Sequence, residues 1–226
     1  MKLLFEIILV IFCLFGIIRL IKSKFTLNKP SFVVWIILVV FVILTIITLK
    51  FDQIILNLFN KLSYKIFKTF SRLGDGLILY SIVVFISWIF YIFKLEEIEL
   101  KILRALPAGI FAGISSQILK HIFLRARPYI TKDPYNFFNF PMFFKSFNGN
   151  SDFISMPSGH TAVSFAVFTL LFFSFKRKFS LYHLIIIIPA ILIGVSRIVL
   201  NQHWPSDVMA GAGLGLFFGI LFKDKS

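Results

Sequence analysis

Residues 156–175 read MPSGHTAVSFAVFTLLFFSF. The polar tetrapeptide Pro157-Ser158-Gly159-His160 opens an apolar run, 158–175, which stops at Lys176-Arg177-Lys178. A run of that length and composition is a transmembrane helix candidate. Ionisable groups in a bilayer are costly unless they meet one another or a polar cavity, so a histidine at the mouth of such a run signals function. Two more polar clusters interrupt equally apolar sequence. Upstream stand Lys120, six residues, then Arg127-Pro128; downstream stand Ser196-Arg197, five residues, His203, three residues, Asp207. Chemistry needs these groups together, so the ends of several apolar runs are expected to converge.

The rest of the chain has the same character. Hydrophobic residues make up 58% of its 226 residues and mean hydropathy is +0.92, which points to a membrane protein of one domain. The fold expected is all-α: a polytopic membrane helix bundle with a six-span core and an extra N-terminal apolar helix. Residues 1–31 hold that extra run, 3–21, broken by Glu6 and Arg19, and a basic connector. It reads as a retained helix, since Lys2 is the sole early basic residue and no small-residue cleavage site follows. Residues 32–226 form the membrane domain, with spans at 32–49, 77–93, 105–123, 158–175, 184–200 and 208–222. Between the first two of these, Ile54, Ile55, Leu58, Phe59, Leu62, Ile66 and Phe70 recur at helical spacing, so 52–70 reads as an amphipathic surface helix. Residues 94–104 read as a short charged connector. Ala210, Gly211, Ala212, Gly213 and Gly215 in the last span permit close helix packing.

The net charge is +14, yet the basic residues flank apolar runs, which favours anionic lipid and topology signals over nucleic acid as their explanation. Connectors 22–31, 94–104 and 176–183 and the C-terminal tail are dense in Lys and Arg and fall on one side if spans alternate, which places them in the cytoplasm and the three polar motifs on the opposite face. The single cysteine, Cys13, rules out an intrachain disulfide or a thiolate metal cluster. Some of the 31 phenylalanines reflect compositional bias and carry no individual meaning.

The three motifs match the needs of phosphoryl transfer. A phosphate monoester carries close to two negative charges, and Lys120, Arg127 and Arg197 supply fixed cations. Ser158 and Gly159 stand where a helix begins, and its positive end and a side-chain-free backbone favour an oxyanion. A carboxylate at Asp207 bonded to one nitrogen of His203 would fix the tautomer and leave the other as nucleophile. His160 then serves as general acid. No cluster has metal-ligand spacing, so the expected mechanism uses neither metal nor cofactor.

The combined pattern Lys120-x6-Arg127-Pro128, Pro157-Ser158-Gly159-His160 and Ser196-Arg197-x5-His203-x3-Asp207 resembles the type 2 phosphatidic acid phosphatase superfamily, which also includes vanadium haloperoxidases and glucose-6-phosphatase. The resemblance is close over 120–207 and architectural over 32–222. It implies a phosphohistidine on His203 oriented by Asp207, protonation of the leaving group by His160, and phosphoryl oxygens held by Lys120, Arg127, Ser158, Gly159 and Arg197. The soluble haloperoxidase branch fits a chain of membrane spans poorly. The implied activity is hydrolysis of a phosphate monoester or diphosphate on an anionic phospholipid or lipid A, at the periplasmic face of a bacterial inner membrane. Lipid A is favoured; undecaprenyl diphosphate, phosphatidylglycerophosphate and phosphatidic acid are the other candidates. Two alternatives stay open: a lipid phosphotransferase using the same site, and a non-catalytic lipid-binding or transport protein. None of these motifs bears on oligomeric state.

Other polar residues divide between bland and sharp readings. His121 and His183 read as interfacial. Arg125 is either a second phosphate contact or a plain surface cation. Asp75, between Gly74 and Gly76, is a turn or helix cap, or else a head-group contact. The aromatic loop 135–147 is an interfacial belt or a flap for acyl chains.

Overall fold

The computed structural model describes residues 14, 16, 18–21, 31–137, 151–175 and 181–223, and all regular structure among them is helical. Helix α1, Phe32–Leu49, is about 27 Å long at 1.5 Å per residue, close to the thickness of a bilayer core. Only Val34 and Thr45 along it are buried, so its apolar surface faces outward, as lipid-facing surface must. Thr45 and Thr48 donate to the carbonyls of Phe41 and Leu44, each at 2.7 Å, which satisfies their hydroxyls without water.

The stretch expected as one amphipathic helix is two, α2 (Asp52–Phe59) and α3 (Tyr64–Leu73). Asn60 and Ser63 flank the break, and short polar side chains of this kind favour helix ends over helix interiors. Helix α3 meets α4 (Gly76–Ile92) at a bend of 62°. Asp75 caps α4, its Oδ1 accepting the Leu77 N–H at 3.1 Å.

Residues 94–104 are not a simple connector. They contain helix α5, Glu96–Leu103, stabilised by acidic residues in its first turn and a Glu97–Lys101 pair at 2.6 Å. Its Glu99 is buried and receives two bonds from Arg19, at 3.1 and 2.9 Å. Arg19 also lies 4.7 Å over the Tyr91 ring. The described part of the N-terminal helix is thus docked: Leu20 joins the apolar core and Gly16 abuts Val84, Leu103 and Leu106. The rest of the expected run 3–21 lies outside the described residues.

Helix α5 leads into α6, Ala105–Phe123, and the two form one stretch of 28 residues. Then come α7 (Gly159–Phe175), a 3-10 segment (Leu181–Ile187), α8 (Ile188–Val199) and α9 (Pro205–Leu221). The span expected at 184–200 therefore begins as a 3-10 turn. Pro189 has no N–H for the carbonyl four residues back, which favours the tighter winding before it. By length and composition Phe32–Leu49 and Glu96–Phe123 can each cross a membrane, the bent pair α3–α4 adds a third crossing if it counts as one span, and α7, Leu184–Val199 and α9 supply three shorter apolar helices among the described residues.

Helix α9 is the hub. Gly211, Gly215 and Gly219 recur every four residues on one face, and a Cβ there would stand 2.5, 2.4 and 2.8 Å from the carbonyls of Ser158, Ala162 and Ala166 on and just before α7. Only glycine permits that backbone approach. Gly213, on another face, lets Phe41 of α1 close in to 2.5 Å of the same virtual atom. Through this seam the N-termini of α7 and α9 are brought side by side, and the C-termini of α6 and α8 end at the same level.

Candidate active site

Every segment leading into the site leaves its helix by a specific local device. Helix α6 ends at Leu124, which is buried in the left-handed region at φ 43° and receives no help from a glycine. Such a conformation costs about 1–3 kcal/mol and persists where its surroundings fix it. The turn sends 125–127 back across the end of the bundle, where Trp204 Nε1 donates to Ala126 O at 2.9 Å. Helix α8 ends at Asn201, φ 52°, a residue type that tolerates this region. The turn lets the N–H groups of Gln202 and His203 both return to Arg197 O, at 3.0 and 3.2 Å.

A cavity of about 470 Å³ opens at this end of the bundle. Lys120, Arg127, Gly159, His160, Arg197 and His203, drawn from all three sequence motifs, line it together. Lys120 is buried yet has no hydrogen-bond or salt-bridge partner among the described residues. Arg127 spends Nε on Ser151 O (2.7 Å) and one terminal nitrogen on Gln202, 2.9 Å to Oε1 and 3.2 Å to O. Arg197 bonds Ser71 Oγ through one terminal nitrogen, while its buried Nε has no partner among the described residues. Buried donors without acceptors are rare, and these cations converge on one side of a hollow that also has apolar walls at Ile110, Ile114 and Val163, with room for more than an anion alone. A side chain on Gly159 would come within 3.2 Å of Ser116 Oγ and 3.9 Å of Lys120 Nζ, so glycine keeps the mouth of α7 open beside the ammonium. Burial lowers the pKa of Arg127, which still remains a cation near neutrality.

Ser158 and Asp207 stand behind the cavity wall. Ser158 is fully buried, its Oγ accepting from Thr161 Oγ1 (2.8 Å) and its N–H donating to Asp207 O (2.9 Å). It does not line the cavity as a phosphate-binding side chain was expected to. Asp207, also fully buried, caps its own helix through the Trp204 N–H at 2.9 Å. The direct His203–Asp207 hydrogen bond expected from their spacing is replaced by a bridge. His203 Nδ1 lies 3.7 Å from Asp207 Oδ2, beyond bonding distance, and Ser155 Oγ stands between, 2.5 Å from the carboxylate and 3.5 Å from the imidazole. Ser155 gives its hydrogen to the carboxylate and so faces the ring as an acceptor. An acceptor on that side favours the imidazole hydrogen on Nδ1, and His203 itself lines the cavity. Burial drives the His203 pKa well below its usual value; Asp207 opposes this, while Arg127, Arg197 and Lys120 reinforce it.

Arg125 belongs to neither of the roles considered for it. It is completely buried, and its five N–H groups all go to protein acceptors: Nε and one terminal N–H to Pro134 O (3.0 and 2.7 Å), and the others to Asp52 (2.6 Å), Ser206 Oγ (2.7 Å) and Asp207 Oδ1 (2.5 Å). With no donor left and no exposure it cannot touch a head group. Phe137, from the aromatic loop, covers it at 4.9 Å; residues 138–147 of that loop lie outside the described residues, as does the side chain of His183. His121 is half-buried on α6 and takes no part in lining the cavity. Asp75 is a helix cap, so the plainer of its two readings accounts for the hydrogen bond it makes.

Sequence reasoning missed Asp52, Ser155, Trp204 and Ser206. Asp52 is fully buried and accepts from Arg125, Ser206 N (2.8 Å) and Ser206 Oγ (2.5 Å). Its partners lie 73 and 154 residues away, beyond any local pattern. Trp204 and Ser206 were adjacent to motif residues, and that proximity was the only available signal.

A sequence model of the PAP2 superfamily matches residues 101–224. The chain belongs to the PAP2 superfamily. The PAP2 match takes in every cavity-lining motif residue, while Asp52, Ser71 and Asp75 lie upstream of it. A lipid A 1-phosphatase of Rhizobium johnstonii is 31% identical over 175 residues, which are 76% of this chain; the match spans 59% of that relative's length, about three-fifths of it. The crystal structure of Aquifex aeolicus LpxE superposes with a TM-score of 0.54 at 26% identity, covering 76% of this chain and 93% of that one. A PAP2-type phosphatidylglycerolphosphate phosphatase from Bacillus subtilis shares the fold, with a TM-score of 0.60 at 20% identity over 82% of this chain and 93% of its own.

Proposed function

We propose that this PAP2 chain is a membrane lipid phosphatase that removes phosphate from an envelope lipid through a phosphohistidine. The observation that carries the reading is the Asp207–Ser155–His203 chain behind a cavity lined by His203, Lys120, Arg127 and Arg197, which supports a neutral imidazole with its hydrogen on Nδ1 and Nε2 as the nucleophile. Mere binding of an anion needs the cations and has no use for an oriented neutral imidazole. Nε2 attacks phosphorus, the bond from phosphorus to the lipid oxygen breaks, and His160 gives that oxygen a proton. Water, its proton taken by His160, then cleaves the phosphorus–nitrogen bond and releases phosphate. The three cations and the N–H groups at the start of α7 hold the phosphoryl oxygens as charge builds.

The site lies at the ends of α6, α7, α8 and α9 opposite Lys94, Arg104 and Lys223, so the positive-inside rule supports an active site on the periplasmic face of a bacterial inner membrane. The similarity to a lipid A 1-phosphatase favours lipid A as substrate. The test is phosphate release by the purified full chain in detergent micelles with EDTA, offered lipid A, undecaprenyl diphosphate, phosphatidylglycerophosphate and phosphatidic acid. Release from one of them, abolished in His203→Ala, is the expected result. Transfer of labelled phosphate to a second lipid would make the chain a phosphotransferase, and turnover surviving in His203→Ala would remove the proposed nucleophile.

A further inference from the structure

A second hollow, of about 340 Å³, lies on the other side of the wall made by His160 and Arg197. Its outer rim is helix α3: Tyr64, Lys68, Ser71 and Arg72 line it, with Asp75 and Gln202 closing the ends. Lys68 and Arg72 are four residues apart, so they stand one above the other on a single face of α3. Both are exposed, and neither has an ion-pair partner among the described residues. The Lys68 ammonium rests 5.8 Å over the Tyr64 ring, which keeps it on the hollow's side of the helix. Asp75 is the one carboxylate among the described lining residues, with its Oδ1 accepting the Leu77 N–H of α4, so the three cations outnumber it. Arg72 stands in the last turn of α3, where a cation is favoured by the helix itself. The hollow therefore presents Lys68, Arg72 and Arg197 to a single concave surface that opens outward beside the catalytic cavity.

We infer that this hollow is the subsite that holds a second, retained phosphate of the lipid, on Lys68 and Arg72 of α3 and on Arg197, while the other phosphate is cleaved. The inference rests on the phosphatase reading above. Arg197 is the shared element: it faces the scissile phosphate from one side and the retained one from the other, with Ser71 of α3 fixing its terminal nitrogen between them. A simple surface anchor would need cations on the outer face of α3, spread along the membrane plane. Lys68 and Arg72 instead line a concavity that ends at the catalytic histidine's wall.

The experiment compares matched lipids bearing one phosphate or two, the one-phosphate member keeping the phosphate that is hydrolysed, in wild type and in Lys68→Gln/Arg72→Gln. KM for the two-phosphate lipid is expected to rise about tenfold relative to KM for the one-phosphate lipid, as loss of two charge-assisted contacts requires. Equal changes in KM for both lipids would mean that α3 only anchors to anionic lipid, and an unchanged ratio would mean that the hollow is idle; either result overturns the inference. Calorimetric binding of the two-phosphate lipid to His203→Ala protein, with and without the α3 substitutions, gives a readout independent of turnover. If no lipid is hydrolysed but the α3 cations still tighten binding about tenfold, the phosphatase reading fails and the subsite stands.

Discussion

Asp52 offers the sharpest test of how the site is held together. It contributes nothing to the cavity, but its two oxygens accept from Arg125, Ser206 N and Ser206 Oγ, and Arg125 in turn holds Asp207. Asp52→Ala strands one arm of a fully buried guanidinium and an N–H at the start of α9. Breaking a buried pair by removing one partner costs about 3–5 kcal/mol. Arg125 keeps Asp207 as counter-charge, so the lower end, about 3 kcal/mol, is expected. Asp52→Asn should be no better. Its amide matches the carboxylate in shape, but the nitrogen that replaces Oδ2 would face the Arg125 N–H and Ser206 O–H as a third donor. The assay is thermal unfolding in detergent together with steady-state kinetics. Both variants should lose stability, and kcat should fall about 10–100-fold as Asp207 and the Ser155 bridge lose their fixed position, in the range known for residues that orient a reactive side chain. KM should change little, because no group touching substrate is altered. An Asp52→Asn protein with wild-type melting temperature and kcat would refute the claim that an acceptor is required there.

Three more outcomes follow from the same geometry. Arg19→Ala should destabilise more than Glu99→Ala in thermal unfolding, by about 2 kcal/mol or more, because it leaves Glu99 buried at 2% exposure without a counter-charge, whereas Arg19, 30% exposed, can turn to solvent; equal losses would contradict this. Gly215→Ala should cost about 1–3 kcal/mol, read by the same unfolding assay, since the added carbon would sit 2.4 Å from the Ala162 carbonyl and force α7 and α9 apart. His203 gives a pH dependence. Its folded pKa lies well below 6.5, so above that pH both states carry it neutral, and below it the unfolded chain gains a proton that the folded protein lacks. Stability should therefore fall through this group by about 1.4 kcal/mol per pH unit as the pH drops below 6.5. The acid-side slope of melting temperature should be shallower in His203→Gln, and parallel slopes would exclude the buried neutral imidazole.

The part of the site most legible in the sequence is the part that lines the cavity. Lys120, Arg127, His160, Arg197 and His203 each stand at a helix end in apolar sequence, where an ionisable group has no structural excuse, and all of them line one cavity. The helices were legible for the same reason, since apolar runs of membrane length admit few other structures. What could not be read was pairing. Asp52 looked like the first residue of a surface helix, and Glu99 like one charge in a connector, because the cations that claim them come from 73 and 80 residues away.

Arg125 and Arg127 show why this limit is physical and does not come from missing a motif. They are the same residue type, two positions apart, in one loop. Arg127, which lines the cavity, has one terminal nitrogen without a hydrogen-bond partner among the described residues, while Arg125 has every donor spent on buried acceptors. Their different fates depend on the turn at Leu124, on Pro134 returning its carbonyl to Arg125, and on α2 delivering Asp52 to the base of α9. A cation with a donor to spare is available to bind an anion, and a cation with every donor taken can only hold other residues in place. The distinction lies in the count of acceptors within reach of each guanidinium, and that count exists only after α2, the 125–137 loop and α9 have come together.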